Sequence, residues 1–77
     1  MNKLEARERL ISFRALMSGW DSYKAVPIDP QAIIAGLAML DKLGDGWTPV
    51  PCSDGSVQLE GYVNGRSVEV RVFGWDA

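Results

Sequence analysis

The sequence predicts an α+β fold, two helices packed on one face of a three-stranded antiparallel meander (ααβββ). Three observations predict it. Apolar residues recur at helical spacing in two N-terminal stretches, and from Trp47 onward the period falls to two. Asn64-Gly65 then sits between two alternating runs, a strong short-range hairpin signal.

The first helix is expected over residues 3–18. Ala6, Leu10, Phe13, Met17 and Trp20 follow one face of a 3.6-residue period, and Gly19 stands where a left-handed residue can end it. Leu4, Ile11 and Ala15 gather on the other side, and Lys3, Arg7 and Arg14 share a flank between the two. A second apolar strip is either sandwiched within a fold or offered to another chain.

Asp29-Pro30 opens the second helix, because aspartate caps well and proline suits the first helical position. It is expected to reach Leu43 and close at Gly44. Ile33, Leu37 and Leu40 share a face, and Ile34 widens the apolar arc so far that this reads as the most buried element. Gly36 reads as a point where another backbone comes close.

A two-residue Asn-Gly turn pairs Val63 with Arg66, Gly61 with Val68, Leu59 with Val70 and Val57 with Val72, which puts the apolar members on one face. The remaining strand is "TPVPCS". With a four-residue loop over 53–56, Cys52 pairs with Val57 and points into the core. Pro49 and Pro51 then aim their nitrogens outward, as an edge strand requires. The opposite edge, 66–73, carries no such protection.

Composition narrows the function. The chain has 77 residues, enough for one domain (1–77), with 47% apolar and 23% charged residues. The net charge of −2 disfavours nucleic acid. There is no histidine, and the lone Cys52 excludes an internal disulfide or a cysteine-rich zinc site. No catalytic, cofactor-binding or metal-ligating constellation stands out, so no cofactor is expected and the reading is of a non-enzyme. The first residues lack a signal-peptide core and the longest apolar run, 32–40, is far short of a membrane span, which gives the expectation of a soluble, cytoplasmic protein without a membrane partner.

What remains is protein–protein interaction, expected as self-association through the first helix or the unprotected edge strand 66–73. Besides that edge, the sequence offers three surfaces for it. One is the outer strip of the first helix, Leu4, Ile11 and Ala15. Another is the solvent face of the hairpin, where Glu60, Tyr62, Glu69, Arg71 and Phe73 project; Glu60 falls opposite Glu69, and Arg71 lies diagonal to Glu60. The third is "GWDSYKAVPIDP", residues 19–30, whose Trp20, Asp21 and Tyr23 read first as a structural corner and alternatively as a pocket anchoring a partner. The partner is a second copy, giving a homodimer, or a host protein. The latter would make the chain an accessory or inhibitory protein of a phage or mobile element. A weak nucleic-acid-binding regulator using Lys3, Arg7 and Arg14 is a third reading.

Gly19-Trp20-Asp21-Ser22-Tyr23-Lys24-Ala25-Val26-Pro27-Ile28, followed by a helix and then "DGSVQLEG", resembles a set of small bacterial proteins whose motif runs W-D-G-Y-G-A-x-P-I and then D-G-x-V-x-L-E-W. The likeness spans about residues 19–73. Ser22 and Lys24 replace glycines of that pattern, and Gly61 replaces its tryptophan. The resemblance implies a recurring structural unit and carries no activity across.

Overall fold

The computed structural model describes residues 1–74; Trp75 and Asp76, which repeat the Trp20-Asp21 pair, lie outside the described residues. The order is α1 (Lys3–Ser12), α2 (Pro30–Leu43), β1 (Thr48–Pro51), β2 (Val57–Val63) and β3 (Arg66–Val72). Both helices pack against one face of a β1-β2-β3 antiparallel sheet, as expected for ααβββ.

Asn2 caps α1. Its side chain accepts from the Glu5 amide at 2.8 Å and donates back to the Glu5 carboxylate at 2.6 Å. Ala6 and Leu10 face the core, but the helix is shorter than its periodicity implied. The Ser12 hydroxyl donates back to the Arg9 carbonyl, a bond that competes with the helical ladder. The last turn tightens into a 3-10 turn at Phe13–Ala15, and Leu16 is already extended. Met17 consequently leaves the core face and is 77% exposed. Gly19 caps no helix; its left-handed φ of 78° belongs to the turn that follows.

The second helix keeps both expected ends. Asp29 accepts from the Gln31 amide at 2.9 Å, Pro30 opens the helix, and Gly44 closes it at φ 81°. It is not wrapped on all sides, for Ile34 is 58% exposed. Gly36 admits side chains rather than a backbone: a Cβ there would meet Leu10 Cδ2 at 2.9 Å and Val57 Cγ2 at 3.3 Å. That contact seats α2 on both α1 and the sheet.

The hairpin has the expected register throughout, from Val63 opposite Arg66 to Val57 opposite Val72. Asn64 at φ 52° and Gly65 at φ 78° supply the two left-handed residues a type I′ turn needs.

The β1–β2 register differs from expectation by one residue. Pro51, not Cys52, lies opposite Val57, and Pro49 lies opposite Leu59. A one-residue slip turns every side chain to the other face. The prolines therefore face the core, with Pro49 fully buried, and Cys52 is half-buried beyond the strand end. Val57 turns its backbone groups to β3, so it cannot also bond Cys52, and the loop closes one residue earlier. The Cys52 amide donates to the Ser56 carbonyl at 2.9 Å, Gly55 takes φ 91°, and the Asp54 carboxylate accepts from the Ser56 amide and hydroxyl. The loop is also fixed from outside: the Val26 amide donates to Ser53 O at 3.0 Å, and the Asp29 amide to Gly55 O at 2.9 Å. One part of the expectation survives. Hydrogen-bonded and non-bonded pairs alternate, so a bonded pair at Cys52–Ser56 leaves 49 and 51 in non-bonded positions, their nitrogens turned away from β2.

Trp47 lies under the sheet, 8% exposed, with its ring against Gly61, where a Cβ would come within 2.7 Å of ring carbons. The indole fills the space a side chain at 61 would take, an aromatic compensating a strand glycine across the pair.

Candidate functional site

The predicted residues occupy three separate places. The corner at 19–28 is closed on itself. Trp20 Nε1 donates to the Val26 carbonyl at 2.9 Å, and Asp21 Oδ1 accepts from the Tyr23 and Ala25 amides at 2.9 and 3.2 Å. The Gly19 amide donates to Ala25 O at 2.7 Å. Trp20 also packs against the core. Trp20 Nε1 and Asp21 Oδ1 are thus engaged within the turn, and Tyr23 is 85% exposed.

On the helix layer, Leu4 and Ile11 are exposed as expected. Ile11 contributes to an apolar groove of about 380 Å³ between the helices, lined also by Arg14, Pro30, Ile33, Ile34 and Leu37. Pro30, Ile34 and Leu37 were not among the expected site residues. Their signal was present in the widened apolar arc of α2, which reads as burial until the packing of α1 is known. Two cations of the expected basic stripe are engaged beside this groove: Arg7 Nη1 stands 3.2 Å and Lys3 Nζ 3.8 Å from Asp41 Oδ1 of α2. That leaves Arg14 as the stripe's cation at the groove.

The solvent face of the sheet does bring its residues together. Glu60 and Glu69 are directly opposite, and Tyr62 (78% exposed) lies opposite Ser67. Arg71 does not make the expected diagonal ion pair with Glu60 and reaches it only through Gln58. Its Nη2 donates to Gln58 Oε1 at 3.3 Å and the Gln58 amide donates to Glu60 at 3.0 Å, while Nη1 stands 4.0 Å from Asp54. Asp54 is a participant missed in the sequence. The Ser56 hydroxyl and amide, and to a smaller degree Arg71, hold its carboxyl below the ordinary range against a partial desolvation. Among the described residues Glu69 receives no side-chain hydrogen bond or ion pair. Phe73 is exposed just past the end of β3, and a shallow hollow of about 370 Å³ at the β1–β2 end is lined by Met1, Gly46, Thr48, Glu60, Tyr62 and Ser67.

The two edges of the sheet bound this face. Among the described residues β3 has β2 on one side and no strand on the other. In a two-residue hairpin Val63 and Arg66 form a bonded pair, so Arg66, Val68, Val70 and Val72 turn their backbone groups to β2. Ser67, Glu69 and Arg71 turn theirs outward.

Among the described residues no group of three His, Cys, Asp or Glu side chains could hold a metal ion, and no helix is long and apolar enough to cross a membrane. No family model matches the chain, and no curated protein or solved structure is significantly similar to it.

Proposed function

We propose that this chain is a non-catalytic protein–protein interaction module that associates with itself. One observation carries the reading. The β3 edge extends over seven residues without proline, no strand among the described residues covers it, and it presents the outward amides and carbonyls of Ser67, Glu69 and Arg71. Such an edge is a template for another strand, and the small core of a 77-residue chain gives association a large relative effect on stability. The test is molar mass by light scattering over a hundredfold dilution. A mass of twice 8.5 kDa at high concentration, falling on dilution, supports the reading, and a monomer at every concentration overturns it.

The groove at Ile11, Ile34 and Leu37 favours a second reading, capture of a foreign protein on the helix layer. In that case Ile11→Glu abolishes binding of that protein and leaves the self-association of β3 unaltered.

A further inference from the structure

We propose that two copies of this chain join β3 to β3 antiparallel, about a two-fold axis at Val70, with Glu69 of each copy opposite Arg71 of the other. The inference rests on the self-association reading and specifies its site and register.

The backbone restricts the choice first. Within β3 only Ser67, Glu69 and Arg71 aim their amides and carbonyls at the open side, so bonded pairs across a two-fold must match these outward residues with one another. Centring on Val68, Glu69 or Val70 meets that condition, but a Val68 centre sets Glu69 against Ser67 and Arg71 against the Gly65 turn, and so gives Glu69 no countercharge. Charge then separates the other two. Within one chain Glu69 already faces Glu60, a like-charge pair that is unfavourable. Centring on Glu69 would set Glu69 against Glu69 and make a row of four carboxylates across the strands. Centring on Val70 makes the row Glu60, Glu69, Arg71 of the second copy, Gln58 of the second copy, and the symmetry repeats it. Each uncompensated Glu69 then gains a guanidinium. Arg71 has donors to spare, since its own-chain partners are one 3.3 Å bond to Gln58 and a loose 4.0 Å contact with Asp54.

The apolar side agrees with the same register. Val70 meets Val70, and Val68 meets Val72 of the second copy, so two half-buried valines of the edge are covered. On the outer face the small Ser67 meets Phe73 of the second copy, which brings that ring beside Tyr62. The product is a six-stranded sheet with all four helices on one side.

The decisive experiment is cysteine cross-linking in a Cys52→Ser background. Val70→Cys should oxidise to a disulfide-linked dimer, because residue 70 meets its own copy across a non-bonded pair; Glu69→Cys should not. Charge reversal supplies an independent readout. Glu69→Arg or Arg71→Glu alone should raise the dimer dissociation constant on the order of tenfold or more, and the double reversal should restore it. A dimer that links through residue 69 instead, or that the double reversal fails to restore, overturns the register. A dimer that survives Glu69→Pro and forms no Val70→Cys link overturns edge pairing while leaving self-association standing. A chain that never dimerises overturns both.

Discussion

The two edges of this sheet solve the same problem in opposite ways. At β1 the positions that face away from β2 are Pro49 and Pro51, which have no N–H to offer. The Pro49 carbonyl is taken by Arg9 Nε at 2.8 Å, and the guanidinium also lies 5.7 Å from the centre of the Phe13 ring. Trp47 holds the strand's start against Gly61. At β3 the corresponding positions are Ser67, Glu69 and Arg71, with intact amides and no covering strand among the described residues. The contrast shows that an edge is closed by which residues occupy its outward positions, and that composition alone does not decide it. Glutamate and arginine on β3 would ordinarily discourage pairing, yet these alternate outward positions carry opposite signs, which the proposed register sets against each other.

The largest effect is expected from removing the anchor of the closed edge. Trp47→Ala empties the space over Gly61 and should cost about 3–5 kcal/mol. Its denaturation midpoint, measured beside the parent's, checks this. A loss below about 1 kcal/mol would mean that β1 is held by its prolines and loop alone.

Next in size is a pair of proline substitutions that tests which β3 residues face outward. Val70→Pro removes an amide directed at β2 and should destabilise the fold by about 3 kcal/mol. Glu69→Pro, one residue earlier, removes an outward amide and should leave the monomer's thermal midpoint nearly unchanged while abolishing self-association. Equal destabilisation by both would contradict the alternation assigned to β3.

Arg9→Ala sharpens the comparison from the β1 side. It exposes the Pro49 carbonyl to water and removes the cation from Phe13, and should cost about 1 kcal/mol. It should create no new oligomer, since β1 still lacks outward amides. Light scattering of this variant at high concentration checks that point.

How far the sequence foretold these edges follows from the range of each signal. The hairpin was legible because Asn64-Gly65 fixes its turn within two residues and the alternation of valines allows one register. The ends of α2 were legible for the same reason, from Asp29-Pro30 and Gly44 alone. The β1 register was legible only in part. The prolines state which amides cannot be donated but not which β2 residues they face. The hairpin adds that Val57 and Leu59 turn their backbone groups to β3, so a bonded Cys52–Val57 pair is excluded and the bonds to β1 fall on Ser56, Gln58 and Glu60. Bonds from Val26 and Asp29 to Ser53 and Gly55, which come from a distant segment, then hold the loop. The helix groove was hidden, because Ile34 can be told from a core residue only when α1 is in place. The sheet face with Glu60, Tyr62, Glu69 and Arg71 could be read directly, since period two assigns faces once the turn is known.

The smallest effect concerns the loop that joins β1 to β2, and pH isolates it. Asp54 accepts from the Ser56 hydroxyl and amide, and these bonds, with a lesser contribution from Arg71, favour its ionised form in the folded chain. A carboxyl whose folded pKa is depressed binds fewer protons folded than unfolded. It stabilises the fold above the unfolded pKa of about 3.9, and that contribution is lost as pH falls from there through the folded value. The side chain is 47% exposed, so solvent screens the effect. Asp54→Asn should therefore lower the thermal midpoint slightly at pH 7 and flatten the parent's decline below about pH 4. An NMR titration of the parent should place the Asp54 midpoint below the ordinary aspartate value of about 3.9. If the Asp54→Asn variant keeps the parent's acid profile, the loop is held by Gly55 and the 26–29 segment, without help from the Asp54–Ser56 bonds.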